Sequence, residues 1–221
     1  MTLGTPRVAS VQVGHVAPLG PQGVPSAFVK SAAGRPVAVA RLGLEGDAQA
    51  DLRVHGGPDK AVYAYGAARL AEWSAEFPEL ATKFVPGCFG ENLTIESLTE
   101  DDLCVGDVHG IGTARLQVCQ PRQPCFKFAL RFADKRLPKA MVRNGRSGWY
   151  YRVLTPGVLE AGDAVRLLER PLPGFAFNEL LDFLYLRGLD SDVLERVAGT
   201  DVVPRNLRAD ARRELAARGS R

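Results

Sequence analysis

The feature that most restricts this chain is its punctuation: 23 glycines and 15 prolines are spread through 221 residues. Proline fixes φ and lacks an N–H, and glycine adopts backbone angles that other residues resist, so both interrupt regular elements. The apolar stretches between these breaks are short and have strand character. "RVASVQVGHVAP" alternates through Val8, Ser10, Val11 and Val13, and "RPVAVARLGLEGD" and "KAVYAY" hold further short strands. "ENLTI", "GDVHGIG", "ARLQVCQP", "GWYYRVLTPG" and "GDAVRLLE" continue the pattern. Many short strands and few helices predict a mainly β fold, a closed or nearly closed β-barrel rather than a parallel βαβ sheet.

Helical spacing is confined to a few places. "AARLAEWSAEFPEL" sets Leu70, Trp73 and Phe77 three and four apart, with Pro78 where the helix should end, and "LRFADKRLPKAMVRNG" holds a helical insertion. After "ERPLPG" the texture changes. Three short helices follow: one capped by Asn178 and stopped by Gly188, one capped by Asp190 or Ser191 and ending at Gly199, and one opened by Pro204. The chain therefore divides into a barrel domain, residues 1–170, and a three-helix appendix, 171–221, whose Leu and Phe residues form a core of their own.

Hydrophobic residues make up 46% of the chain, enough to bury a substantial core. The N-terminus lacks a basic stretch followed by an apolar block, and no apolar run approaches the roughly 18 residues of a membrane span, so a cytoplasmic protein with no membrane partner is expected. Cys88, Cys104, Cys119 and Cys125 are too irregular for a disulfide framework, and three histidines without zinc spacing argue against structural zinc. Charge is unevenly placed. Between Gln120 and Arg152 nine basic residues face one acid, Asp134, while the remainder of the chain is net acidic. Such a segment calls for an anionic partner such as a phosphate-bearing cofactor or a nucleic acid.

Five segments carry the groups for chemistry. "GLEGDAQADLRVHGGPDKAV" surrounds a Gly-Gly-Pro break with Asp47, Asp51, Arg53, His55, Asp59 and Lys60, and His55 is placed to donate to an anion or move protons. "CFGENLTI" brings Asn92 to the start of a strand, and "VGDVHGIG" is a hairpin-like turn. In "CQPRQPCF" two prolines stiffen the loop; Cys119 belongs to the preceding strand and packs there. Cys125 lies past the second proline, where Arg122 and Lys127 favour its thiolate, although a packed thiol or a transient Cys119–Cys125 disulfide is also compatible with the spacing. "RNGRSGWYY" sets Arg143 and Arg146 on a glycine-flexed loop suited to an oxyanion.

In their order along the chain, "GLEGDAQAD", "HGGPDKAV", "FGENL", "VGD", "QPRQPC" and "GWYYRVLTPG" resemble the MOSC family, named for the C-terminal domain of molybdenum cofactor sulfurases. The closing helices resemble the 3-alpha appendix of its bacterial YiiM-type subgroup. The resemblance implies a barrel that binds molybdenum cofactor (molybdopterin), with no need of pyridoxal phosphate. Cys125 would be the protein ligand to molybdenum, Arg53, His55, Lys60, Asn92, Arg122 and Arg146 the cofactor-binding residues, and Cys125 and His55 the catalytic pair. It further implies reduction of small N-hydroxylated compounds such as 6-N-hydroxylaminopurine. Electrons would come from a separate flavoprotein, the chain having no dinucleotide fingerprint. A non-catalytic carrier of the cofactor, or of sulfur as a persulfide on Cys125, is the alternative. The appendix is available to dock the electron donor, pair two copies as a homodimer or cover the barrel. No nucleic-acid partner is expected, since arginines on helix surfaces are ordinarily solvated and aromatic interleaving is missing.

Overall fold

The structure, a computed structural model, describes residues 4–51, 56–186 and 189–219. Its strands are β1 (Arg7–Val13), β2 (Ala17–Leu19), β3 (Val24–Ser26), β4 (Ser31–Ala32), β5 (Val37–Ala40), β6 (Gly43–Leu44) and β7 (Val62–Gly66). Helix α1 (Ala67–Glu76) leads to β8 (Leu93–Glu96), β9 (Val108–Ile111) and β10 (Ala114–Pro121). Helices α2 (Phe126–Phe132) and α3 (Arg136–Asn144) precede β11 (Trp149–Thr155), β12 (Gly157–Leu159) and β13 (Val165–Glu169). The chain ends in α4 (Phe177–Tyr185), α5 (Ser191–Gly199) and α6 (Arg205–Gly219). No described helix is long and apolar enough to cross a membrane.

One eight-stranded sheet runs β13-β9-β10-β11-β7-β8-β1-β4, with a three-stranded sheet β12-β5-β6 and the hairpin β2-β3 beside it. Every pairing is antiparallel except β7 with β8, which α1 separates in sequence and which therefore run parallel. The mainly β reading thus needs qualification: this is a mixed, sheet-rich fold with several helices. A closed barrel is not found. Strand β1, next to the short edge strand β4, meets the start of β13 through one isolated bridge, Arg7 to Ala164, and the flanking backbone bonds Val8 N–H to Asp163 and Val165 N–H to Pro6. The sequence expectation of one helical insertion becomes two helices, because Ala133 takes a left-handed φ of 56° that ends α2.

Two hydrophobic clusters fill the molecule. The larger joins strand residues such as Leu93, Ile95, Leu116, Val118 and Trp149 to Phe177, Leu180, Val197, Leu207 and Ala211 of the C-terminal helices. Those helices stand where the sequence places them, but they share the sheet's core instead of forming their own. Their apolar stripe needs a partner surface, and the sheet is that surface. Asn178 is not the cap expected of it. Ala176 precedes α4 and donates its N–H to the Glu179 carboxylate, while the Asn178 amide donates to Asp101 at 2.9 Å. The stop expected at Gly188 lies outside the described residues. The smaller cluster is aromatic and buries Trp73, Phe84, Phe89, Phe128 and Phe132 between α1, α2 and α3.

Candidate functional site

Strand β10 ends at Pro121, whose ring cannot supply the N–H for another rung, and α2 begins five residues later. The loop between them walls a half-open cleft, together with Phe28, Lys30, residues 47–50, Lys60, Tyr63, Asn92 and Tyr150 of β11.

The two cysteines of the opening loop part company here. Cys119 is fully buried in β10, its Sγ 3.0 Å from the Asp59 carbonyl oxygen, and burial pushes its thiol up to about 12. Cys125 is half-buried and lines the cleft, and neither cysteine is in a disulfide. Lys60 lines the same cleft; burial lowers the pKa of its ammonium, and the charges of Cys119 and Cys125 act in the opposite direction.

Arg122, between the prolines, is buried with its guanidinium carbon 5.0 Å from the ring centre of Phe28, 5.2 Å from Tyr63 and 5.6 Å from Phe128. These rings hold the cation by its faces and leave its edge for hydrogen bonding. Nη1 is buried and has no hydrogen-bond partner among the described residues. A buried donor left unsatisfied costs about 1–3 kcal/mol, and more when charged, so the cleft is incomplete without an acceptor. The Tyr185 hydroxyl of α4 donates to the Arg122 carbonyl oxygen, which ties a C-terminal helix to this loop.

The opposite wall is built by "FGENL". Gly90 has φ +79°, and a Cβ there would lie 3.2 Å from the Phe28 carbonyl oxygen, so a side chain would be both strained and crowded. Glu91 is buried, and its carboxylate accepts the N–H groups of Gly87 and Phe89 and the Thr94 hydroxyl. Burial raises the Glu91 pKa, while these donors oppose the rise. Asn92 Oδ1 accepts the Tyr63 N–H at 3.0 Å, and its Nδ2 donates to the Gln12 carbonyl oxygen and to Asp47 Oδ2. Asn92 thus lines the cleft and also splints β7 to the 47–50 loop. Asp47 in turn accepts the Gly14 N–H and the Lys30 ammonium. Desolvation lowers the Lys30 pKa and the Asp47 carboxylate partly restores it.

The structure brings Lys60, Asn92, Arg122 and Cys125 together around one cleft. It does not bring Arg146 there. That guanidinium pairs with Glu72 at 2.7 Å and Glu76 at 2.8 Å on α1, and Arg143 pairs with Glu76 as well. Their positive charge is absorbed by carboxylates some seventy residues away, and Arg146 joins two elements instead of facing the cleft. Arg53 and His55 lie outside the described residues. Lys30, Lys127, Tyr63 and Tyr150 line the cleft without having been assigned to it from the sequence. Lys127 carried the available signal, membership of the basic segment; Lys30 carried none, because its meaning comes from Asp47.

Four cations and one carboxylate line the cleft among its described residues. A sequence profile of the MOSC domain matches residues 51–166, the stretch that carries Lys60, Asn92, Arg122 and Cys125. The chain belongs to the MOSC domain family. Within this MOSC family, the protein YiiM of Escherichia coli is 41% identical over 150 residues, covering 68% of this chain and 67% of that protein. A Gibberella moniliformis protein described as a reductase is 34% identical over 77% of this chain, which spans 30% of that protein's length. The crystal structure of YiiM from Geobacillus stearothermophilus is 32% identical, with a TM-score of 0.80 over 95% of this chain and 99% of that one. These relatives place the chain among YiiM-type MOSC proteins.

Proposed function

We propose that the cleft binds molybdenum cofactor, with Cys125 as the protein ligand to the metal, and that the protein reduces small N-hydroxylated compounds with electrons from a separate flavoprotein. The observation that carries this reading is the pairing of an accessible thiol at Cys125 with the buried, unsatisfied Nη1 of Arg122 in one cation-lined cleft. The donor set fits. A thiolate is a soft ligand, suited to a metal that arrives with dithiolene sulfurs of its own and needs one more, and a phosphate tail supplies the acceptor that Arg122 lacks. No group of three or more His, Cys, Asp or Glu able to hold a bare metal ion occurs among the described residues, which accords with a metal that brings most of its ligands.

In this reading Arg122 and Lys60, with Arg53, bind the anionic end of the cofactor, and Lys127 adds positive charge to the cleft, the Lys30 charge being met by Asp47. The aromatic rings around Arg122 exclude water from its faces, which strengthens each polar contact at its edge. When bound, the cofactor would supply the two-electron chemistry of the reduction. The overall change breaks the N–O bond of R–NHOH: two electrons and two protons give R–NH2 and water. His55 is the proposed donor of the proton to the departing oxygen.

The test is to purify the protein from cells with intact cofactor synthesis and measure molybdenum together with reduction of 6-N-hydroxylaminopurine by reduced methyl viologen. About one molybdenum per chain and steady turnover support the reading. Protein without molybdenum, carrying an extra sulfur on Cys125 by intact mass, would instead assign it to sulfur carriage.

A further inference from the structure

Six basic residues and one acid occupy Phe126–Asn144, the span of α2 and α3. The inward stripe of α3, Leu137, Ala140 and Met141, is buried in the aromatic cluster. Its outward stripe shows Arg136, Lys139, Val142 and Arg143, with Lys135 just before the first turn; all are exposed, at the three- and four-residue spacing that puts side chains on one helix face. Arg136 and Arg143 are exposed but already paired, Arg136 with exposed Glu79 and half-buried Asp134, and Arg143 with half-buried Glu76. The ammonium groups of Lys135 and Lys139 make no hydrogen bond or ion pair among the described residues. On the other arginine-rich helix, α6, Arg208 pairs with Asp201, Arg213 with Asp210 and Arg218 with Glu214, and Arg212 donates to the Ala198 carbonyl oxygen, which leaves Arg205 exposed at its first turn.

Position gives the unspent charge a meaning. Helix α2 starts at the residue after Cys125 and is seven residues long, so it reaches only about 10 Å from that thiol along its axis. Its first residue, Phe126, is 62% exposed, an apolar contact point beside the cleft. A basic helix face and an exposed ring, carried by the two helices that follow Cys125 in the chain, have the make-up of a small, charge-steered interface for transient encounters.

Resting on the function proposed above, we infer that the α2–α3 face docks an acidic, flavin-carrying electron-transfer protein. Each reduced partner molecule gives up one electron, so two encounters complete one N–O cleavage. Opposite charge raises the encounter rate, and salt weakens the effect by screening.

The probe is reduced flavodoxin, an acidic flavin protein, compared with reduced methyl viologen, which needs no docking face. Lys135→Glu/Lys139→Glu should lower flavodoxin-driven turnover at low salt about tenfold and weaken flavodoxin binding by a similar factor in calorimetry. Viologen-driven turnover should stay at the wild-type level. The matched reversal on α6, Arg205→Glu/Arg213→Glu, should leave all three readings unchanged. Equal losses in both double variants would reduce the effect to net charge and overturn the inference. So would wild-type protein that turns over with viologen but accepts nothing from flavodoxin. A 20-base-pair DNA duplex bound by wild type and released by Lys135→Glu/Lys139→Glu, with flavodoxin turnover unaffected, would assign the face to nucleic acid instead. Absence of viologen-driven turnover in wild type strikes the proposed function itself, while flavodoxin binding still reads the docking face.

Discussion

Arg122 and Arg146 come from the same basic segment, yet the two ends of that segment have opposite fates. At the cleft end, Arg122 is buried among Phe28, Tyr63 and Phe128 with one donor unsatisfied. At the α1 corner, Arg146 is satisfied twice over by Glu72 and Glu76. The first arrangement holds a cation ready for a ligand, and the second uses a cation to join two parts of the fold. A run of basic residues therefore marks binding only where the fold withholds the counter-charge.

The strongest way to break this contrast is to remove the unsatisfied cation. Arg122→Ala should weaken cofactor binding about a thousandfold, as expected when one partner of a buried charged contact is deleted. Equilibrium titration of cofactor into the apo-protein checks it, and a loss below tenfold would mean that Arg122 does not meet the anionic end.

Next in size is a buried group with no role in the cleft. His109 is buried in β9 with its Nδ1 2.6 Å from the Tyr151 hydroxyl, and burial pulls its pKa down to about 4, with Asp107 and Arg170 the charged groups that face it. The unfolded chain takes up a proton at this histidine near pH 6.5 and the folded one only near 4. Stability contributed by the neutral ring is thus present above 6.5 and lost as pH falls towards 4, by about 3 kcal/mol. Denaturant unfolding of wild type and His109→Gln across that window should show the wild-type slope flattened in the variant. An unchanged slope would place the acid sensitivity elsewhere.

The smallest effect belongs to the α1 corner. Arg146→Ala should cost about 1 kcal/mol of stability, the upper range for half-exposed ion pairs, and leave cofactor affinity unaltered. A drop in cofactor affinity matching that of Arg122→Ala would erase the distinction between the two ends.

Much of this molecule was legible in the sequence wherever the signal was local. Alternation showed β1, helical spacing showed α1, and two prolines placed Cys125 on a loop and left Cys119 in a strand. What escaped depended on distant partners. The carboxylates that absorb Arg146 lie on another element, and nothing near Lys30 announces Asp47. The spacing of Leu180, Leu181 and Leu184 fixes an apolar stripe without saying that it faces the sheet's core. Barrel closure fails to appear for the same reason, since it depends on how β1 and the start of β13 meet across the length of the chain.

The most direct measurement is the molybdenum content of two single variants purified side by side from cells that make the cofactor. Cys125→Ser should retain close to none. Cys119→Ser, whose hydroxyl can still donate to the Asp59 carbonyl oxygen, should retain the wild-type amount. Equal molybdenum in the two would contradict the claim that the thiol on the cleft wall, and not the one packed in β10, holds the metal.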